Sequence, residues 1–266
     1  MLRKIVFLTF ILFVSSNILG QDKVQLDKFE VNNILRTLFE VKSFNKDGKG
    51  KWKPNVYEWY KMPKSDDGYC YTGIDTILYS TVNNEEKAVV IFETIPYNNG
   101  ERVECHGCNV LLSLATFTRN NNLWELTEFE KIFQHAGTWG YLRGVFEILK
   151  LGKDFHCLVF YDEGSSGMGS SSSYTTFYDL GGNGYNKVLS FQDHESVGEN
   201  YGNNITFSDE TTFKLIKSPN YYKIELTTIR NGKNITKRQL LAYSEESKKY
   251  LPVIIPKLSS AQSKKN

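Results

Sequence analysis

Runs of β-prone residues, each stopped by an asparagine- or glycine-rich turn, recur from about residue 70 onward and limit the fold more than any other feature of the chain. Residues 71–82 are rich in Thr, Ile and Tyr and end at Asn83-Asn84-Glu85-Glu86. Residues 87–97 form the next run, which Asn98-Asn99-Gly100 closes. The apolar run 109–118 meets Asn120-Asn121-Asn122, and 123–133 alternates beyond it. Three further pairs follow: 146–151 with 155–161 around Gly152-Lys153-Asp154, 174–180 with 185–191 around Gly181-Gly182-Asn183-Gly184, and 221–230 with 235–243 around Asn231-Gly232. Asn and Gly accept the positive φ that tight hairpins need, and Asn-Gly is the strongest short hairpin signal. About ten strands joined mostly by tight turns predict a mainly β chain, an antiparallel meander closed as a barrel or stacked as a sandwich. No internal repeat is evident, which disfavours a propeller.

The N-terminal quarter reads differently. Residues 24–41 predict an α-helix: Asp27 can cap it, Glu30 stands in the first turn, and Val31, Ile34, Leu35 and Leu38 recur at helical spacing. Lys46-Asp47-Gly48-Lys49-Gly50-Lys51 predicts a loop, and Trp52, Tyr57, Trp59 and Tyr60 follow as an aromatic segment. Ahead of all this, residues 1–20 have the pattern of a secretory signal. Arg3 and Lys4 make a positive start, 5–14 is apolar apart from Thr9, and cleavage after Gly20 would leave Gln21 first. The apolar run is about half of the roughly 20 residues a membrane span requires. The chain therefore divides into a signal peptide (1–20), an N-terminal helix and aromatic loop (21–68), a β-rich domain (69–257) and a flexible tail (258–266). The expected location is secreted or periplasmic, with no integral membrane segment after signal cleavage.

Charge bears on partners. Of 32 basic residues two lie in the leader, which leaves 30 against 30 acidic ones. A balanced chain lacks the cationic surplus that nucleic-acid binding needs. A 40% hydrophobic share with 23% charged residues excludes wholesale disorder.

Cys70, Cys105, Cys108 and Cys157 are the cysteines. Outside the cytosol an even number of thiols predicts disulfides, two of them by default, in any of three pairings. Within Cys105-His106-Gly107-Cys108 three readings compete. An exposed C-x-x-C at a helix start lowers a thiol pKa and exchanges disulfides; 87–97 as the preceding strand, with Val110, Leu111, Leu114 and Phe117 as a helical stripe, would fit that order. Against it, Val110, Leu112 and Leu114 also alternate as a strand does. A zinc site commonly uses two such pairs, and only one is present. The third reading is structural: the two sulfurs close on each other, or pair with Cys70 or Cys157, as a staple that contributes roughly 2–4 kcal/mol.

Cys-His-x-Cys followed by an apolar stretch resembles a family of uncharacterised exported bacterial proteins. Trp124, Gly137-Thr138-Trp139-Gly140 and Leu151-Gly152-Lys153-Asp154 extend the resemblance, which covers roughly residues 105–200. It implies a secreted or periplasmic β-rich domain and assigns no catalytic residue.

Other constellations are weaker. Gly164-Ser165-Ser166-Gly167 matches half of a nucleophile elbow, with Met168 where the last glycine belongs. The six serines and three glycines of 164–173 read instead as a mobile loop between strands. Asp193-His194-Glu195 reads as a solvated edge, since strand neighbours point to opposite faces. Trp52, Trp59, Tyr60, Tyr69 and Tyr71 read as core rather than as an exposed platform. Gly137 and Gly140 leave room for close approach, so Trp139 either plugs the core or lips a pocket. The expectation is a non-catalytic, disulfide-stabilised domain, without metal or cofactor, that binds a small molecule, glycan or protein. His106, Trp139, Ser165 and Ser166 are its candidate binding residues. The alternative is an extracytoplasmic thiol–disulfide oxidoreductase using Cys105 and Cys108, and a hydrolase using the serine loop stands third.

Overall fold

Asparagine and glycine close the hairpins where the sequence places them. Asn84, Asn99, Asn121 and Asn231 all take positive φ, as does Gly184 in the glycine-rich turn. The structure, a computed structural model, describes residues 24–253 apart from 27–28, 56–57, 59–60, 64, 83, 106, 164–165, 168–169, 199–204 and 232–233.

The elements in chain order are β1 (Gln25–Leu26), α1 (Val31–Phe39), β2 (Ser43–Phe44), β3 (Gly50–Trp52), β4 (Cys70–Val82), β5 (Glu85–Ile95), β6 (Tyr97–Asn98), β7 (Glu101–Arg102), β8 (Val110–Asn120), β9 (Leu123–Ala136), β10 (Gly144–Lys150), β11 (His156–Asp162), β12 (Ser166–Gly167), β13 (Ser170–Asp179), β14 (Lys187–Gly198), β15 (Ile205–Ile216), β16 (Lys223–Arg230), β17 (Asn234–Ser244) and β18 (Lys249–Pro252). The first sheet has the order β1-β9-β8-β5-β4-β3-β2. The second runs β10-β11-β13-β14-β15-β16-β17-β18, with β12 on β13, and β6 and β7 form a separate small hairpin. Every pairing is antiparallel, and nearly every strand pairs with its neighbour in the chain. This is the expected meander, and its two sheets stack as a sandwich; among the described residues no sheet closes into a barrel.

Three cores follow from side-chain alternation. On β5 and β8, Val89, Ile91, Val110, Leu112 and Leu114 face the second sheet, where Leu158, Phe160 and Tyr178 meet them. The intervening Val90, Phe92, Leu111, Ala115 and Phe117 face the helix, against Ile34, Leu35, Leu38 and Phe39. Burial on both faces explains why β5 and β8 read as nearly continuous apolar runs. The third core lies on the far side of the second sheet, where Cys157, Val159 and Phe177 pack with Ile224, Leu241 and Tyr250. The last strand returns close to β14, so the second sheet curls over this core.

Several expectations need correction. The helix is shorter than 24–41 because Leu26 and Gln25 pair with Trp124 and Glu125 of β9, and Glu40, at φ 55°, ends it. Asp27 lies outside the described residues; Glu30 occupies the cap position and makes no side-chain capping bond, and Val31 is exposed. The glycine-lysine stretch is a turn only as far as Lys49, since Gly50 and Lys51 belong to β3. The serine-rich segment is partly strand. Ser166 and Gly167 pair with Ser171 and Ser170, and the Ser171 and Ser196 hydroxyls meet at 2.7 Å across β13 and β14. Asp193-His194-Glu195 is not an edge, because β14 lies between β13 and β15. Asp193 accepts hydrogen bonds from Ser173 and Thr175, and His194 lies 3.2 Å from the Ser171 hydroxyl. Of the aromatics read as core, Trp52 is buried, its indole N–H donating to Thr72 at 2.8 Å, and so is Tyr71; Trp59 and Tyr60 lie outside the described residues.

Candidate functional site

Glu93 stands on β5 between buried Ile91 and Ile95 in the alternation and is only 9% exposed. A carboxylate so placed requires compensating cations. Lys49 supplies one at 2.5 Å and Arg102 another at 3.2 Å. Lys49 reaches Glu93 by crossing over Gly73, the residue paired with Glu93 on β4. A Cβ on Gly73 would stand 2.5 Å from the lysine side chain, so the glycine keeps this path open.

Arg102 also carries the contact outward. Its guanidinium lies 4.1 Å from the centroid of the Tyr141 ring, within cation–π range. The Tyr141 hydroxyl donates to Glu104, the residue before the disulfide loop. Cys105 and Cys108 are bonded to each other, with 5.0 Å between their Cα atoms, and the Cys108 N–H donates to the Cys105 carbonyl at 2.9 Å. Cys105 is exposed and Cys108 half-buried.

A two-residue turn docks on this loop. Thr138 and Tyr141 exchange two backbone hydrogen bonds of 3.1 Å, and the residues between them, Trp139 and Gly140, have φ of 57° and 74°. Positive φ at both positions defines a type I′ turn, which favours Asn-Gly. The Gly140 N–H donates to the Cys108 carbonyl at 2.6 Å, and a Cβ at Gly140 would approach the Val103 carbonyl oxygen to 2.3 Å. Glycine is therefore required for the docking. Trp139 is 41% exposed, whereas the adjacent Thr138 is buried. A bulky residue in the left-handed region is an outlier. The fold thus holds an indole partly in solvent at the tip of a turn clamped to a disulfide. Beside the loop opens a cleft of about 370 Å³, bordered by Lys61, Met62, Pro63, Val103, Asn109 and His135.

Comparison of the chain with protein families, with curated proteins and with solved structures finds no match.

Of the residues singled out by sequence, Cys105, Cys108 and Trp139 come together. His106 and Ser165 lie outside the described residues, and Ser166 falls on β12 in the second sheet. Cys70 and Cys157 do not join the pair, which corrects the expectation of two disulfides. Both are free thiols, Cys70 in the core beneath the helix and Cys157 in the core on the far side of the second sheet. With both sheets between them they cannot meet. Burial pushes the Cys70 thiol up to about 12 and raises Cys157 further still, the behaviour of inert core cysteines. The stretch after Cys108 is strand β8, not a helix, so no helix N-terminus is available to lower the pKa of a released thiol. No group of three or more His, Cys, Asp or Glu side chains is placed to hold a metal ion among the described residues. No helix among the described residues is long and apolar enough to cross a membrane.

Lys49, Glu93, Arg102, Glu104 and Tyr141 belong to no sequence motif that points to a site. Tyr141 alone had a nearby signal, since it follows the Gly-Thr-Trp-Gly turn. The others converge only through sheet pairing.

Proposed function

We propose that this protein is an exported, non-catalytic binding domain, related to the bacterial family whose Cys-His-x-Cys pattern it resembles, and that its recognition surface is the Cys105–Cys108 loop together with the Trp139 turn. One observation carries the reading: Trp139, partly exposed, occupies a strained turn position locked to a disulfide loop by the Gly140–Cys108 hydrogen bond. Strain of this kind persists where the surroundings enforce it, and it clusters at ligand-contacting sites. Export is supported by the leader pattern and by a bonded cysteine pair whose Cys105 is exposed, a state that oxidising compartments maintain. The ligand is a small molecule, glycan or protein.

The test is made on protein produced with its own leader in a bacterial host. The expected product lies outside the cytosol, begins at Gln21 and shows two thiols in denaturant before reduction and four after it. Intact precursor in the cytosol with four free thiols would overturn the reading.

A second reading follows from the exposure of Cys105. As a thiol–disulfide oxidoreductase, the reduced protein would attack a substrate disulfide through Cys105, and Cys108 would resolve the mixed disulfide. Cys108→Ser would then trap covalent adducts on Cys105. For a staple, no adduct accumulates, and reduction of the bond coincides with loosening of the loop.

A further inference from the structure

At the other end of β8, eleven residues and so roughly 35 Å from the disulfide loop, the helix-facing side of the first sheet ends in a second cleft. Tyr79 of β4 projects there with 62% of its surface exposed, beside Trp124 of β9. The two ring centroids are 6.0 Å apart and the planes meet at 55°, so the rings form a corner and do not stack on each other. Phe29 packs edge-on against Trp124 at 5.0 Å and against the buried Phe117 at 5.0 Å, and thereby props the corner on the core. Arg119 sits 5.8 Å from the Trp124 ring and donates to Glu86 at 2.8 Å. With Ser80 these groups border an open space of about 490 Å³, within the range of small-molecule sites.

We propose that this cleft binds a neutral pyranose oligosaccharide, with its C–H faces set against the corner that Tyr79 and Trp124 form and its hydroxyl edges hydrogen-bonded to the Arg119–Glu86 pair. The chemistry selects this class by exclusion. A wholly apolar ligand would cover the paired guanidinium and carboxylate and leave them desolvated, which is unfavourable. Glu86 already occupies Arg119 at 2.8 Å, so an anion would have to displace it from the guanidinium, and a cation meets Arg119 and Lys87, which borders the same space. A pyranose is uncharged, has an apolar C–H face for an aromatic ring, and carries adjacent hydroxyls that match two planar polar groups offering both donors and acceptors. This inference rests neither on export nor on Trp139.

The test is calorimetric and fluorescence titration of the purified protein with cellohexaose, chitohexaose and mannohexaose. Saturable binding of at least one is expected, with a change in tryptophan emission. Tyr79→Ala and Arg119→Ala, both at exposed positions and checked for an unchanged fold by circular dichroism, are each expected to weaken binding roughly tenfold. Val145→Ala, at an exposed position on β10 of the second sheet, is expected to leave it unaltered. Absence of saturation with all three sugars overturns the proposal. So does binding that survives both cleft substitutions, or binding lost with Trp139→Asn and kept with Tyr79→Ala, which would belong to the disulfide-loop surface.

Discussion

Placing tryptophan where a type I′ turn favours asparagine costs about 1 kcal/mol in backbone strain. Trp139→Asn is accordingly expected to raise the melting temperature by about 2–4 °C in a chain of this size, measured by calorimetry; a fall would mean that the indole is a packing residue. Glu93 behaves in the opposite sense. Glu93→Gln removes the charge that Lys49 and Arg102 surround at 2.5 and 3.2 Å. It is expected to destabilise the fold by about 3 kcal/mol in urea titration. His156 offers a pH dependence. It is buried, its Nδ1 has no hydrogen-bond partner, and burial first, then the nearby Lys150, lowers its pKa from 6.5 against the weaker pull of Asp154. The folded state therefore holds this imidazole neutral at pH values where the unfolded chain protonates it. Its stability contribution is complete above pH 6.5 and falls as pH drops below that value toward the lowered folded pKa. Urea midpoints should decline between pH 7.5 and 5.5, and His156→Gln should flatten the decline.

Among the elements, the disulfide loop is the most directly testable. It joins residues three apart, so the unfolded-state entropy it removes is small. Replacing both Cys105 and Cys108 by serine is expected to cost about 2 kcal/mol, read as a lowered urea midpoint with the β-sheet circular dichroism spectrum retained. The hairpins were the most legible elements because positive φ is a local property, and Asn84, Asn99, Asn121 and Asn231 announce it residue by residue. β15 has no local signature for the converse reason. Its middle, Ser208 to Thr212, is polar and is held by cross-strand contacts to β16: Asp209 accepts two hydrogen bonds of 2.9 Å from Arg230, and Thr211 meets Thr228 at 2.9 Å. None of these is visible in local hydropathy. The N-terminal helix kept its apolar stripe but lost its predicted first turns to β9, a partner a hundred residues away. Trp139 and the cysteine pair were visible as motifs; the Lys49–Glu93–Arg102–Tyr141 contacts that support them required the register of β4 on β5 to bring Gly73 opposite Glu93.

For the whole molecule, the meander was legible and the layering was not. Turn spacing shows that successive strands pair, but not which face of β5 meets the helix and which the second sheet, since both faces carry apolar residues. The resulting stack places one unbonded cysteine in each of its two outer cores. That separation gives the protein a pair of internal reporters. An alkylating reagent reaches Cys70 only when the layer that covers the first sheet, the helix and the Met62–Pro63 segment, loosens, and Cys157 only when the curled strands open from the second. The relative rates at which the two sulfurs acquire label would give the order in which the stack peels apart, without any engineered probe.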